Sequence, residues 1–343
     1  MQHKKGIATV KPVWVIIICI VSLTPGVSFS PSIKEIFFAT WNVENLFDDE
    51  PALTLRSDDP ISHNNQQMTW WNTALYQKKC ARLAEIITQM NSGKGPDILA
   101  LVEVENARVI ADLVGKLPNP QSYTIVHIEG EASRGMEVGV ISRFPVLAQS
   151  SHFVWHGVRD ILQVDIDVYG HRLTVLVNHW KSRVGGTFET ADLRTLCAAR
   201  AYQIYREIVR ENESADVILC GDFNDTPQTL SITEVLNAKA SVEKIQRQRE
   251  RKYLYNCTTE LEGKSVGTHC YDSEWNFLDQ IIISKWLLDD VGLRYQKNSI
   301  AVFNPKGVLI REGEPWRFGG KNEKHRGYSD HLPLVARFGV DGR

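Results

Sequence analysis

Short apolar runs, each suited to a buried β-strand, recur along this chain and most constrain how it folds. Residues 97–104 (DILALVEV) and 216–220 (DVILC) are continuous runs of this kind, typical of strands covered on both faces. Apolar residues at helical spacing predict an amphipathic helix over about 77–91 and a longer helix over about 190–211. A short turn at Tyr169–Gly170 joins two further runs and predicts a hairpin. Hairpins mixed with crossovers, with helices outside, predict a layered α/β sandwich.

Polar residues stand at the ends of several of these strands. Any one of them has an ordinary explanation, because Asp and Asn favour turns and a single His near a sheet often completes a hydrogen bond. A whole set of endings that carry an acid, an amide or an imidazole is harder to explain in this way. The candidate residues at these ends are Asn42, Glu103, Asn178, His179, Asp222, Asn224, Asp279, Asp330 and His331.

One ending, in the stretch GDFND, shows what chemistry these residues offer. Because alternate residues of an extended segment point the same way, Asp222 and Asn224 face one spot. The amide is suited to donate to an oxygen whose charge grows, while the carboxylate orients or deprotonates water. Glu103 supplies oxygen for a hard divalent cation, with Asn42 and Asp330 as further ligands. A site with few carboxylates and several waters is typical of Mg²⁺.

Two histidines complete the set. His179 and His331 carry imidazoles that titrate near neutral pH. Asp279 is suited to orient His331, as an acid fixes the tautomer of a catalytic histidine. The residue types together indicate attack by activated water at a centre where negative charge develops.

The order of the motifs carries a resemblance to a known family. WNVENLF, LVEVEN, NHWKSR, GDFNDTP, FLDQIIIS and YSDHLPL follow one another from about residue 35 to 338. In this order the chain resembles the endonuclease/exonuclease/phosphatase superfamily, the fold family of pancreatic deoxyribonuclease and bacterial abasic-site repair nucleases. NHWKSR and EWNFLDQIIIS are most similar to bacterial, often secreted, members. The resemblance implies a four-layer α/β/β/α sandwich of two mixed sheets with outer helices and an active site at one rim.

The resemblance implies roles around a metal and the scissile phosphate. Asn42 and Glu103 match the metal-binding asparagine and glutamate of the family. Asp330 matches the acid that precedes the family's second histidine and is a further metal candidate. His179 matches the histidine that contacts the scissile phosphate and is a candidate to protonate the leaving group.

The resemblance also implies the groups that activate water. Asp222 and Asn224 match the aspartate and asparagine beside the nucleophilic water. Asp279 and His331 match the paired acid and histidine. Whether Asp222 or His331 acts as the base stays open at the level of the sequence.

Further residues are candidates for binding the substrate. Arg134 stands where several family nucleases place a tyrosine or arginine, and its guanidinium matches phosphate geometry. Asn178, Lys181 and Arg183 flank the predicted phosphate-contacting histidine and are candidates to hold phosphates, the alternative being a solvated rim.

Nucleic acid is the predicted partner, although the formal net charge of −2 gives no general attraction to a polyanion. Local positive charge in the stretch RFGGKNEKHRGYSDH supports the prediction. Base stacking by tryptophan is a second expectation, with burial in the core as its alternative. The basic residues of the stretch are Arg317, Lys321, Lys324 and Arg326, and the tryptophans are Trp70, Trp71 and Trp316.

Residues 1–30 have the layout of a secretory signal peptide, with lysines before an apolar run at 13–23 and then Pro and Gly. The run is short for a membrane span, which needs roughly 20 apolar residues. An uncleaved anchor is the alternative. We therefore expect a secreted or periplasmic protein whose residues 31–343 form one catalytic domain, with no stable membrane span after signal removal. We also expect a monomer.

Cys257 and Cys270 are candidates for a disulfide or are free thiols.

The sequence thus predicts a Mg²⁺-dependent nuclease, with Mn²⁺ or Ca²⁺ as alternative metals. The rival substrates are sphingomyelin and small phosphate esters, hydrolysed by the same chemistry. Phosphoinositides are disfavoured, because Gln280 follows Asp279 where such relatives usually carry arginine. No apolar hairpin of the kind that sphingomyelinases use to reach membrane is evident in the sequence. A non-catalytic binding domain is a further alternative, but such relatives typically lose catalytic residues that this chain keeps.

Overall fold

A computed structural model describes residues 33–50, 70–130, 136–248, 252–264, 266–319 and 324–341. The predicted signal segment, Arg134 and Lys321 lie outside these ranges. The strands are β1 (Ile33–Leu46), β2 (Ile98–Val104), β3 (Thr124–His127), β4 (Glu137–Ser142), β5 (Val146–His152), β6 (Ile161–Val168), β7 (His171–His179), β8 (Asp216–Asp222), β9 (Ala238–Lys239), β10 (Leu254–Asn256), β11 (His269–Tyr271), β12 (Glu274–Asn276), β13 (Asp279–Ile283), β14 (Leu293–Tyr295), β15 (Ala301–Val302), β16 (Ile310–Arg311), β17 (Glu314–Pro315) and β18 (Leu334–Asp341).

The α-helices are fewer than the strands. They are α1 (Thr73–Gly93), α2 (Ala107–Val114), α3 (Ala191–Glu211) and α4 (Val242–Gln246). Single turns of 3₁₀-helix occur at Pro120–Ser122, Cys257–Leu261, Lys285–Leu288 and Pro305–Gly307, and a π-helical turn at Ser231–Val235.

Two mixed sheets carry the fold. The first has the strand order β14-β18-β1-β2-β4-β3, with β15 beside β18, and the second has the order β5-β6-β7-β8-β13-β10-β9. In the first sheet β1 and β2 are parallel, and in the second β7 and β8 are parallel. The hairpin predicted at Tyr169–Gly170 joins β6 and β7, which pair antiparallel.

The sheets lie face to face with helices outside. One core cluster joins both sheets through apolar side chains such as Phe38 and Val102 of the first and Val164 and Ile218 of the second. A second cluster packs α1 and α2 against the outer face of the first sheet, and a third packs α3 against the second sheet. Residues buried on both faces explain the continuous apolar runs of the central strands. The four-layer sandwich is therefore confirmed.

Local signals explain the helix boundaries. The Asn72 side chain accepts from Leu75 N at 3.1 Å and caps α1, which begins four residues before the prediction. Helix α3 begins one residue after its predicted start and ends as predicted. A π-helical turn at Ser231–Val235 follows β8 and leads into strand β9.

The cysteines and the lengths of the helices bear on two further predictions. Cys257 is buried, Cys270 is part-exposed, and both thiols are free, so the structure has the free-thiol alternative rather than the disulfide. None of the described helices is long and apolar enough to cross a membrane.

Candidate active site

Strand ends from both sheets meet at one rim of the sandwich. Strands β7 and β8 are parallel with His179 opposite Asp222, and β13 runs antiparallel to β8 so that Asp279 also lies opposite Asp222. In the other sheet, Glu103 is near the end of β2, which is parallel to β1. Because parallel neighbours end at the same edge of a sheet, residues far apart in sequence become neighbours here.

Side-chain distances show that the two sheets meet at this point. Asn42 Nδ2 donates to Glu103 Oε1 at 3.1 Å and to Asp222 Oδ2 at 3.1 Å. His179 Nε2 is 3.7 Å from Glu103 Oε1 and 3.8 Å from Asp222 Oδ2. His331 Nε2 is 3.8 Å from the same Asp222 oxygen. These three longer distances exceed a hydrogen bond, so both imidazoles keep a donor position directed at the cleft.

Backbone irregularity directs the acidic side chains. Glu103 has φ +65°, and the register of β2 against β4 shifts between Val102 and Val104. A bulge of this kind re-aims a side chain at the edge of a sheet. Asn224 also has a positive φ of +50°. Non-glycine residues in this conformation are costly and collect at functional sites.

Asp279 and His331 form the expected pair. His331 Nδ1 is 2.7 Å from Asp279 Oδ2, and the main chain of His331 is held by Trp41 Nε1, which donates to His331 O at 2.9 Å. Burial opposes charge on the ring, but the carboxylates of Asp279 and Asp222 raise the pKa of His331 well above its usual value. The two carboxylates thus favour the protonated form of His331.

Burial shifts the pKa values of Asp222 and His179, two further titratable groups at the rim. Burial raises the pKa of Asp222 to about 6, and the nearby His331 opposes this shift. Asp222 Oδ1 accepts from Asn224 N at 2.8 Å, and Asn224 Nδ2 donates to Trp180 O at 3.2 Å. Burial lowers the pKa of His179 well below its usual value, so this imidazole is neutral. Within the described residues, the buried His179 Nδ1 has no hydrogen-bond partner.

A comparison with known families decides what this rim belongs to. The sequence matches the model described as the Endonuclease/Exonuclease/phosphatase family over residues 37–338. The chain belongs to this family. The match confirms the resemblance seen in the order of the motifs. Family members are phosphoesterases, and the groups at the rim are suited to that chemistry.

Solved structures support the same fold. The chain is similar to truncated TDP2 of Caenorhabditis elegans, with a TM-score of 0.53 and 17% identity over 89% of this chain and 97% of that chain. It is similar to the human Nocturnin catalytic domain with bound sulfate anion, with a TM-score of 0.53 and 17% identity over 90% and 97% of the two chains. A Bacteroides thetaiotaomicron mannosyl-6-phosphatase has a TM-score of 0.54 and 13% identity over 88% and 99%. No protein with a curated description matches the sequence. At these identities the likeness concerns the fold alone.

The side chain of Asn178 is directed into the protein interior. Its side chain is fully buried, its Nδ2 donates to Leu176 O at 2.9 Å, and its Oδ1 accepts from Trp180 Nε1 at 3.0 Å. Neighbouring residues of a strand point to opposite faces, so Asn178 points away from the cleft that His179 faces. Both polar atoms of its amide are used within the protein, and the contact of Asn178 with substrate stays a prediction.

The basic residues after β7 also have a different main role. Arg183 Nε donates to Asn224 O at 2.7 Å, and one Nη lies 3.6 Å from Asp225 Oδ1. The main-chain oxygen of Lys181 faces Arg194 Nη1 at 3.4 Å. Arg183 thus holds the turn that carries Asn224, and its contact with a phosphate stays a prediction. A role for the part-exposed Lys181 side chain stays a prediction.

A network around Glu44 was not recognised from the sequence. Glu44 is buried and accepts from Arg317 Nε at 2.9 Å and from Phe318 N at 2.7 Å. The fully buried Lys79 lies 3.8 Å from Glu44 and donates to Tyr328 O at 2.8 Å. The one available signal was an acid two residues after Asn42 in the first motif. The network fixes the segment before His331 to the end of β1.

The predicted metal ligands have the following surroundings. Asn42 Oδ1 accepts from Glu44 N at 3.1 Å, so the amide nitrogen rather than the oxygen faces Glu103. In this geometry Asn42 orients the carboxylates of Glu103 and Asp222, and its role as a metal ligand stays a prediction. Asp330 lies 3.5 Å from Arg317 Nη2, and burial raises its pKa to about 7, with the Glu44 carboxylate acting in the same direction. Among the described residues, no group of three or more His, Cys, Asp or Glu side chains is arranged as a metal cluster.

Proposed function

We propose that the protein is a divalent-metal-dependent phosphodiesterase that hydrolyses nucleic-acid phosphodiester bonds by in-line attack of water. The observation that carries the proposal is the position of Asp222. Its Oδ2 accepts from Asn42 at 3.1 Å and lies 3.8 Å from both His179 Nε2 and His331 Nε2. A base is thus surrounded by donors suited to an anionic phosphoryl group.

The roles follow from the charge state of each group. Asp222 accepts a proton from the attacking water, since the neighbouring carboxylates favour the protonated form of His331, which has no lone pair to offer. The imidazolium of His331 donates to a phosphoryl oxygen and keeps its orientation through the 2.7 Å contact with Asp279. Neutral His179 contacts the phosphate through Nε2. We do not assign it protonation of the leaving group, because a neutral imidazole of low pKa is a poor acid.

The donor set fits one hard cation with few protein ligands. Glu103 and Asp330 carry carboxylates, and Glu103 influences Asp330 electrostatically. Glu103 uses one lone pair on each oxygen, for Asn42 Nδ2 at 3.1 Å and Asn45 N at 2.8 Å, and further lone pairs remain. We assign Glu103 as the main ligand and Asp330 as a further ligand of Mg²⁺, with waters completing its shell. When bound, the metal neutralises charge that develops on the phosphate.

Nucleic acid is the substrate that we favour for this site. Arg317 keeps 58% of its side chain exposed beside Asp330, and Lys324 is exposed in the same segment. Positive charge at a cleft attracts a polyanion even when the net charge is near zero. We further propose that the protein acts as a secreted or periplasmic monomer. The name of the structurally similar mannosyl-6-phosphatase makes a sugar phosphate the natural competing substrate.

Plasmid DNA tests the proposal. We expect nicking with Mg²⁺ and none with EDTA. Glu103→Gln is expected to remove the activity, whereas the control Glu105→Gln is expected to keep it, because Glu105 Oε2 accepts from Asp48 N at 2.5 Å rather than facing the cleft. Folded protein that releases phosphate from mannose 6-phosphate but leaves DNA intact would contradict the substrate.

A lipid phosphodiester is the second candidate, because one observation favours it. Val184 and Phe188, in the segment between β7 and α3, are 80% and 90% exposed. Apolar side chains beside a phosphoesterase site are suited to contact lipid. Choline phosphate release from sphingomyelin vesicles that is lost in a Phe188→Ser variant, with plasmid DNA left intact, would favour this candidate over nucleic acid.

A further inference from the structure

A small cavity opens beside the proposed metal site. It has a volume of about 130 Å³ and is lined by Glu44, Asn45, Trp70, Trp71, Arg317 and Phe318. We call it the aromatic pocket. One water molecule needs roughly 10–15 Å³ of cavity volume. The pocket therefore has room for a ring system but not for a long chain.

Four aromatic side chains line it, those of Phe47, Trp70, Trp71 and Phe318, and the last three stand nearly at right angles to one another. The centroids of Trp70 and Trp71 are 5.7 Å apart with an interplanar angle of 88°. Those of Trp71 and Phe318 are 6.0 Å apart with an angle of 73°. Both tryptophans are part-exposed. A flat ring that stacks on one wall therefore presents its edge to another, and both are favourable aromatic arrangements.

Contacts behind the walls hold them in place. Trp71 Nε1 donates to Asp48 O at 2.8 Å. The buried guanidinium of Arg326 lies 5.2 Å from the Trp70 ring and 5.0 Å from the Phe318 ring. Its Nη1 also donates to Phe318 O at 3.1 Å. Walls that are ordered before binding lose little conformational entropy when a ligand enters.

The pocket adjoins the site of chemistry through bonded neighbours. Asn45 N donates to Glu103 Oε2 at 2.8 Å, so one pocket residue holds the proposed metal ligand. At the other side, Arg317 donates to Glu44 at 2.9 Å and lies 3.5 Å from Asp330. Residues that line the pocket therefore contact both proposed metal ligands, Glu103 and Asp330.

We propose that the aromatic pocket binds the nucleobase of a nucleotide adjacent to the scissile phosphate, with Arg317 facing the phosphate between them. The proposal rests on the proposed function of the neighbouring site. A base fits better than a sugar, because sugar hydroxyls need several free polar partners. The Glu44 carboxylate is already used by Phe318 N at 2.7 Å, Gly319 N at 3.2 Å and Arg317 Nε at 2.9 Å.

Binding without turnover tests the pocket directly. In EDTA, isothermal titration calorimetry compares AMP with ribose 5-phosphate, which lacks the base. We expect the wild type to bind AMP roughly five- to a hundredfold more tightly, the range expected for stacking of one base. Trp70→Ala is expected to remove this difference and leave the affinity for ribose 5-phosphate unchanged. Trp70→Leu keeps more apolar volume and serves if the alanine variant does not fold.

The control is Trp286→Ala, because Trp286 lies in the turn at Lys285–Leu288, after the far end of β13. It is expected to keep the preference for AMP. Equal affinities in the wild type, or a Trp70 variant that weakens both ligands alike, would overturn the proposal. A Trp70 variant that weakens mannose 6-phosphate and not AMP would also overturn it.

A kinetic comparison separates the pocket from the proposed function. Thymidine 5′-(p-nitrophenyl) phosphate and methyl p-nitrophenyl phosphate release the same chromophore, and one of them has a base. Trp70→Ala is expected to lower kcat/KM for the thymidine ester by the same factor and to spare the methyl ester. If the wild type hydrolyses neither ester nor DNA, the proposed function fails, and the calorimetric comparison alone decides the pocket.

Discussion

Replacing Arg194 by Met is expected to destabilise the protein and the active-site rim together. Arg194 lies on α3 with 1% exposure, and its Nε donates to Asp225 Oδ1 at 2.8 Å. Its Nη atoms donate to Thr190 Oγ1 at 2.6 Å and to Thr187 O at 2.7 Å. One side chain thus joins the helix, the segment after β7 and the turn after Asp222.

The expected loss is about 3–5 kcal/mol in the free energy of unfolding, the range for breaking a buried ion pair by removing one partner. Methionine keeps most of the apolar stem, so lost packing contributes little. Asp225 stays buried, and Ser231 Oγ at 2.6 Å and the more distant Arg183 Nη2 at 3.6 Å compensate only in part. We therefore place the variant in the lower half of the range.

Urea unfolding followed by circular dichroism measures this loss. The control is Arg200→Met on the same helix, where the more exposed guanidinium donates to Phe153 O at 3.1 Å. We expect that control to cost below about 1 kcal/mol. A double-mutant cycle with Asp225→Asn isolates the pair. An Arg194→Met loss no larger than the Arg200→Met loss, or strictly additive effects of the Arg194 and Asp225 changes, would refute the reasoning.

Three further changes have defined outcomes. Asp279→Asn is expected to lower kcat roughly 10²–10⁴-fold, because His331 loses its orienting acid; full activity would contradict the pairing. Glu103→Gln is expected to remove the rise in melting temperature that added Mg²⁺ gives the wild type, and an unchanged rise would place the metal elsewhere. Burial and the neighbouring Asp289 raise the pKa of Asp216 to about 7. Between about pH 4 and 7 this carboxyl ionises more readily in the unfolded chain than in the folded protein, so the free energy of unfolding of the wild type falls as the pH rises. Asp216→Asn is therefore expected to raise the free energy of unfolding by about 1–3 kcal/mol at pH 8 and to leave it unchanged at pH 4. Melting temperatures at the two pH values measure this difference, and an equal effect at both would exclude this cause.

Strand ends explain how much of the site could be predicted from the sequence. Apolar runs that stop at Glu103, His179 or Asp222 show where strands end, and parallel pairing brings such ends to one edge. Side chains alternate along a strand, so a strand that places His179 in the cleft places Asn178 on the opposite face. Motif order was sufficient for the family and therefore for the four layers.

Contacts between distant segments could not be predicted in this way. Lys79 reads as an ordinary polar position of an amphipathic helix, yet its Nζ donates to Tyr328 O, 249 residues further along the chain. The basic character of Arg183 and Arg317 was visible, but their partners, Asn224 O and Glu44, depend on which loops meet at the rim.

The sequence by itself determined the succession of strands, the family and the set of chemical groups, because these follow from local periodicity and motif order. Only the tertiary structure decided which charged side chains pair with each other and which remain available to a ligand. The same holds for the aromatic pocket, whose walls come from the segment before α1 and the segment after β17. A side chain's pairing and burial depend on long-range packing, and periodicity carries no information about that packing.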